Sequence, residues 1–196
     1  PVEAVTRGAW LVVALCGWAT LAQAATPMDD VLARGARDGN APAWAISVAT
    51  PAGWTRDCCT YARAIGVNAV LYQGEWSGKP QRVMVLNVWP RKLATLDAEV
   101  QADRTHFLQA DPAARVTGIG VHPRDMPCAA TVYEGTDHVD DVVVFCDPGQ
   151  ASGIRLSWSM SFDHDDPSRR ALLDAFMQVV VATHYQRYLP APAHAG

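Results

Sequence analysis

The stretch GIRLSWSMSFDHDDPSRRALLDAFMQVVVATHY, residues 153–185, changes periodicity halfway along. Ile154, Leu156, Trp158, Met160 and Phe162 alternate with Arg155, Ser157, Ser159 and Ser161. Successive strand side chains face opposite sides of a sheet, so this run predicts a strand with one buried and one solvated face. A solvated face points to an antiparallel sheet. Asp166 then suits an N-cap, and Pro167 suits the first helical position, where a missing N–H costs nothing. Leu172, Leu173, Phe176, Met177, Val180 and Val181 follow at helical spacing. A long half-buried strand thus hands over to an amphipathic helix of the size needed to cover it.

The residues before this stretch supply the rest of a sheet. Residues 44–50, 67–73 and 82–89 read as strands, the last apolar on both faces and therefore interior. Residues 115–121 read as a short strand weakened by Gly118 and Gly120. Residues 129–134 and 141–145 read as a hairpin around GTDHVD. Helices are expected over residues 28–38, opened by Thr26-Pro27, and from Thr95 to the residue before Asp111-Pro112. Asp97 and Glu99 favour the positive end of the second helix. The CCTYARAIG stretch is ambiguous and allows one helical turn. The order predicts an α+β fold, an antiparallel sheet flanked by helices.

The chain has 196 residues, enough for one domain with a real core. Residues 8–21 form an apolar run after Arg7, followed by Ala22-Gln23-Ala24, a small-x-small cleavage site. The run is short for a membrane span, so residues 1–24 read as an export signal. Residues 25–188 read as a single α+β domain, and residues 189–196 as a disordered tail. The expected location is periplasmic or secreted, with no stable membrane insertion after cleavage. The net charge is −4, and losing Glu3 and Arg7 with the leader leaves it unchanged. A mildly acidic chain without a Lys/Arg cluster argues against nucleic acid as a partner.

Cys58, Cys59, Cys128 and Cys146 remain beyond the leader, an even set that reads as disulfides in an oxidising compartment. Adjacent cysteines chelate one metal poorly. A Cys58–Cys59 bridge is strained and rare. Cys128 and Cys146 fall opposite each other in the expected hairpin. The favoured reading clusters all four, Cys58 and Cys59 bridging to Cys128 and Cys146; a single Cys128–Cys146 bridge is the alternative.

PAGW at 51–54, GVNAVLY at 66–72, Trp76 and Gly78 in the following loop, RVMVLNV at 82–88 and a Thr-capped helix resemble exported bacterial proteins of the PsbP-like fold. That fold is named for an extrinsic protein of photosystem II and is shared with a small nuclear-import factor that binds a GTPase. The resemblance covers most of residues 43–186. It implies a non-enzymatic module that binds proteins or stabilises assemblies. The cysteine set departs from the general family.

Two acidic-histidine strings stand out, residues 137–141 (DHVDD) and 163–166 (DHDD). They could offer imidazole and carboxylate to a cation, but they lack the ligand spacing of a calcium loop, and Asp and His are ordinary turn residues. No nucleophile–base motif, phosphate loop or dinucleotide fingerprint occurs. Of the tryptophans outside the leader, Trp76 in GEWSGKP is the candidate contact residue. The expected binding surface is the solvated sheet face carrying Arg155, Ser157, Ser159 and Ser161, or the loops at Trp76 and His138. The expected function is an exported, non-enzymatic binding or accessory module engaging another protein in the cell envelope, with no cofactor and no metal. The alternative is an envelope hydrolase or metal-binding protein using the His/Asp clusters.

Overall fold

A computed structural model describes residues 31–39, 41–76 and 82–187. The expected leader and tail lie outside the described residues. The alternating run forms the strand Ile154–Asp163 (β9), which pairs antiparallel on both sides. Its neighbours are Arg82–Pro90 (β5) and Val139–Cys146 (β8). Beyond β5 lie Ala69–Gln73 (β4) and Thr55–Asp57 (β3); beyond β8 lie Cys128–Glu134 (β7) and Arg115–Ile119 (β6). The seven-stranded order is β3-β4-β5-β9-β8-β7-β6, antiparallel throughout. The α+β class with an antiparallel sheet is therefore as the sequence implies.

The register puts the apolar residues of five strands in rows on one face. One row runs Ala69, Leu86, Trp158, Val144, Ala130; the next runs Leu71, Met84, Met160, Val142, Val132. All ten are buried. The helix Arg169–Val181 (α3) covers this face with Leu172, Phe176, Val179 and Val180. It begins after Ser168. Asp166 accepts the Ser168 N–H at 2.7 Å and a hydrogen bond from Arg82 at 3.1 Å, so it shapes the turn just ahead of the helix. Deep in the core, Trp158 Nε1 donates to Thr183 Oγ1 at 3.0 Å, and Thr183 donates to the Val179 carbonyl. The one polar atom of the largest core side chain is thereby satisfied.

A second sheet completes the core. Val31–Gly35 (β1), Trp44–Ser47 (β2) and His184–Arg187 (β10) pair in the order β1-β2-β10. The helix expected over residues 28–38 is not formed in its described part, where Val31–Gly35 is a strand. Gly35 lies opposite Trp44, and a Cβ there would fall 2.2 Å from the Trp44 ring. The bare backbone of a paired strand seats that indole. Tertiary pairing outweighs weak local preference in a five-residue element.

The opposite face of the large sheet carries two helices, Tyr61–Ala64 (α1) over β4 and Leu96–Ala110 (α2) over β7 and β8. Thr95 caps α2 through its hydroxyl, which accepts the Ala98 N–H at 3.1 Å. Phe107 of α2 stacks on Tyr133, centroids 4.2 Å apart, and the Tyr133 hydroxyl donates to Asp103 at 2.6 Å.

The favoured clustering of four cysteines is overturned. Cys128 bonds Cys146 across β7 and β8, and Cys58 bonds its neighbour Cys59 at the far edge of the sheet. Four strand spacings separate β3 from β8, about 19 Å, far beyond disulfide reach. The two bridges differ in what they close. Cys128–Cys146 spans 18 residues, and Cys58–Cys59 closes only the ring within its own dipeptide. Replacing Cys128 and Cys146 by serine should cost about 3 kcal/mol in urea unfolding, the loop-entropy value for this span. The Cys58/Cys59 double serine variant should stay within about 0.5 kcal/mol of the parent.

Candidate functional site

The sheet face opposite α3 is not a uniform wet surface. Arg155 is fully buried and Ser157 is 7% exposed, whereas Ser161 and Asp163 are exposed. The expectation that Arg155 contacts a partner on a solvated face is therefore overturned. Alternation assigned the face correctly, but α2 and the end of β8 enclose this part of it. Arg155 NH1 lies 2.6 Å from Asp147 Oδ1, and its Nε lies 3.8 Å from Glu99 of α2. Neither approach has hydrogen-bond alignment, so the contact is charge to charge. Arg91 Nη2 also donates to both carboxylate oxygens of Asp147. Two cations and two anions thus balance at one end of β9.

Next to this cluster the helices leave a gap. α1 covers β4 and α2 covers β7 and β8, so the middle strands β5 and β9 are open between them. The result is a groove of about 500 Å³. Its floor is Asn87 of β5 beside Ser157 of β9, with Ser159 one row further along. Trp89 and Phe145 form a wall, meeting edge-on with centroids 6.0 Å apart. Asn68 and Asp103 stand at the sides. Asn68 Oδ1 accepts the Val88 N–H at 2.7 Å, which turns its NH₂ into the remaining donor. Among the described residues, the side chains of Asn87, Ser157 and Ser159 have no hydrogen-bond partner. Asn68, Asn87, Ser157 and Ser159 are all neutral, and the Asp103 carboxylate is partly used by Tyr133.

The acidic-histidine strings come together elsewhere. Asp140 is fully buried on β8. Its Oδ1 lies 3.1 Å from His164 Nδ1, and its Oδ2 accepts from Arg169 Nε at 2.7 Å. Glu134 joins them, and the ligand atoms of Glu134, Asp140 and His164 lie within 4.8 Å of one another. Two arginines already compensate this charge. Arg169 reaches both carboxylates and lies over the Phe162 ring, and Arg115 pairs with Glu134. The Arg115 hydrogen bond holds the Glu134 carboxyl below its ordinary value. A cation would have to displace Arg169. His138 is exposed at the hairpin tip with φ of 67° and meets His164 only through its carbonyl. Asp141 sits apart, bonded to Ser161; burial raises its carboxyl despite that bond, and Asp137, Asp140 and Asp103 add to the rise. The neighbouring groove, about 230 Å³, is lined by Arg82, Val139, Ser161, Phe162, Asp163 and Asp166. None of His138, Asp140, Asp141, His164 or Asp165 lines it.

Trp76 folds back onto the sheet. It stacks on Tyr61 at 4.9 Å and meets Tyr72 edge-on at 5.2 Å, closing a small core around Ala62 and Val70. Its place is packing. Asn87, Asn68 and Trp89 were not singled out from the sequence. The available signal was one neutral polar residue inside the apolar run RVMVLNVWP.

No protein-family model and no curated protein matches the chain. Among solved structures, the chain is similar to cyanobacterial PsbP (CyanoP) from Synechocystis sp. PCC 6803. The two share 13% identity and a TM-score of 0.47, over 89% of this chain and 99% of that one. That likeness carries no residue and no role across. No helix among the described residues is long and apolar enough to cross a membrane.

The charge cluster beside the groove gives a pH test. Burial alone would raise the Asp147 carboxyl. The hydrogen bonds from Arg91 and the Gly149 N–H, with the charge of Arg155, outweigh it and hold the group below 3.8. A depressed carboxyl stabilises the fold above its unfolded-state value, and that stability is lost as pH falls through the folded value. Asp147→Asn should cost about 3 kcal/mol near pH 7, because it strands a buried guanidinium. Thermal melts should show the gap to the parent constant above about pH 5 and closing below pH 3.8.

Proposed function

We propose that the chain is an exported, non-enzymatic binding or accessory module of the cell envelope, and that it recognises its target through the groove between α1 and α2. The observation that carries this reading is the row of neutral polar side chains without internal partners on the floor of that groove. Polar groups half-removed from water are normally paired, so a concave set without partners is a place for a ligand's groups. The acid–histidine cluster offers less to chemistry. Its buried carboxylate is already shared between His164 and Arg169, and among the described residues no hydroxyl hydrogen-bonds the imidazole. The target expected from the sequence resemblance is another protein. Such a protein would have to present a part small enough to enter a groove of about 500 Å³.

The test compares target capture from an envelope extract by the parent chain, by Asn87→Arg, which fills the groove, and by Gln178→Arg on the exposed side of α3. Asn87→Arg should lose capture at least tenfold with an unchanged melt, and Gln178→Arg should retain it. Equal capture by all three would show that recognition lies elsewhere. Hydrolysis of an ester, amide or glycoside substrate that disappears in His164→Ala would replace the reading with an enzymatic one.

A further inference from the structure

Resting on the binding-module reading, we propose that the groove between α1 and α2 is a carbohydrate site that takes a neutral, hydroxyl-rich ligand. The lining excludes other classes one at a time. An anion would meet the Asp103 carboxylate and no balancing cation: Arg155, the nearest buried positive group on β9, is held between Asp147 and Glu99. A wholly apolar ligand would strip water from Asn68, Asn87, Ser157 and Ser159 and return no hydrogen bonds, an unfavourable exchange for each group. A cation would have Asp103 alone, and that carboxylate already accepts from Tyr133.

A sugar meets every feature. Its hydroxyls both donate and accept, as do the serine hydroxyls and the Asn87 amide. Asn68 offers donors, because its oxygen is committed to the Val88 N–H. Asp103 retains acceptor lone pairs beside the one used by Tyr133. The half-buried Trp89, braced edge-on by Phe145, gives an apolar face of the kind against which the C–H side of a sugar ring packs. The volume is in the range of small-ligand sites, and the groove is open at the surface, so a short oligosaccharide or the end of a longer glycan fits better than an enclosed monosaccharide. Asn87, Trp89, Ser157 and Ser159 stand on the paired strands β5 and β9, which hold them in register without a ligand.

The full chain, labelled with nitrogen-15, is titrated separately with chitotriose, cellotriose, maltotriose, choline and inorganic phosphate. The expected result is saturable shift changes at the Asn87, Ser157 and Ser159 amides and the Trp89 indole with at least one trisaccharide. Asn87→Ala and the Ser157→Ala/Ser159→Ala variant should weaken that response about tenfold, about 1.4 kcal/mol, with unchanged melts. Co-sedimentation with purified envelope glycan separates the sources. Response to a soluble trisaccharide assigns a free sugar; sedimentation alone, lost in the same variants, assigns a sugar borne on polymer or protein. A groove response to choline or phosphate and to no sugar would overturn the proposal. So would the absence of any groove response together with no variant-sensitive sedimentation. In either case, capture that still depends on Asn87 would leave the binding-module reading standing with a different ligand class.

Discussion

A guanidinium with no exposure to water sets the terms for one whole face of this protein. Arg155 sits near the start of the central strand β9 and must be met by charge, because an uncompensated buried cation costs several kcal/mol. Asp147, just past the end of β8, and Glu99, in the first turn of α2, supply that charge from two separate elements. The helix is thereby tied to the sheet at one end by Glu99. Further along, Asp103 and Phe107 tie it to Tyr133. These three α2 residues lie four apart and share one side of the helix, so the cover over β7 and β8 is electrostatic and aromatic rather than aliphatic.

That choice leaves the middle of the face open. α2 is drawn to β7 and β8, and α1 is held over β4 by its own small core and by Asp57, which accepts the Ala62 N–H at 2.8 Å. Asn87, Ser157 and Ser159 line the groove left between the two helices. The other face shows the contrast. There, the two central rows from β4 to β7 are apolar and α3 lies across them with Phe176 fully buried. One sheet thus carries a dry side that supplies stability and a second side whose centre is polar and uncovered.

The dry side was readable from the sequence because its signals are local. The alternation in 154–162, the helical spacing in 172–181 and the hairpin that sets Cys128 against Cys146 each depend on neighbours in the chain. The strand β1 was not readable. VLARG has no alternation, and its conformation comes from pairing with β2 and from the fit of Trp44 over Gly35. The groove failed for the same kind of reason. Asn87 gains its setting from Ser157, seventy residues later and directly opposite in register, and from the placement of two helices. Arg155 shows the limit most plainly. Periodicity tells which side of a sheet a residue faces, but not what lies over it, so a residue read as solvated is the most enclosed charge among those described. The acid–histidine strings look chemical in sequence, whereas in the fold Arg169 and Arg115 turn them into an ion-pair network.

The central claim is that recognition happens on the uncovered centre of the sheet. It is tested most directly by site-specific photo-crosslinking in cells producing the chain, with the photoreactive residue placed at Ser159 in the groove or at Gln178 on the exposed side of α3. The account predicts a discrete adduct from position 159, competed away by an excess of the unlabelled parent chain, and none from position 178. Adducts from 178 with none from 159 would contradict it and move the functional surface to the helical side of the protein.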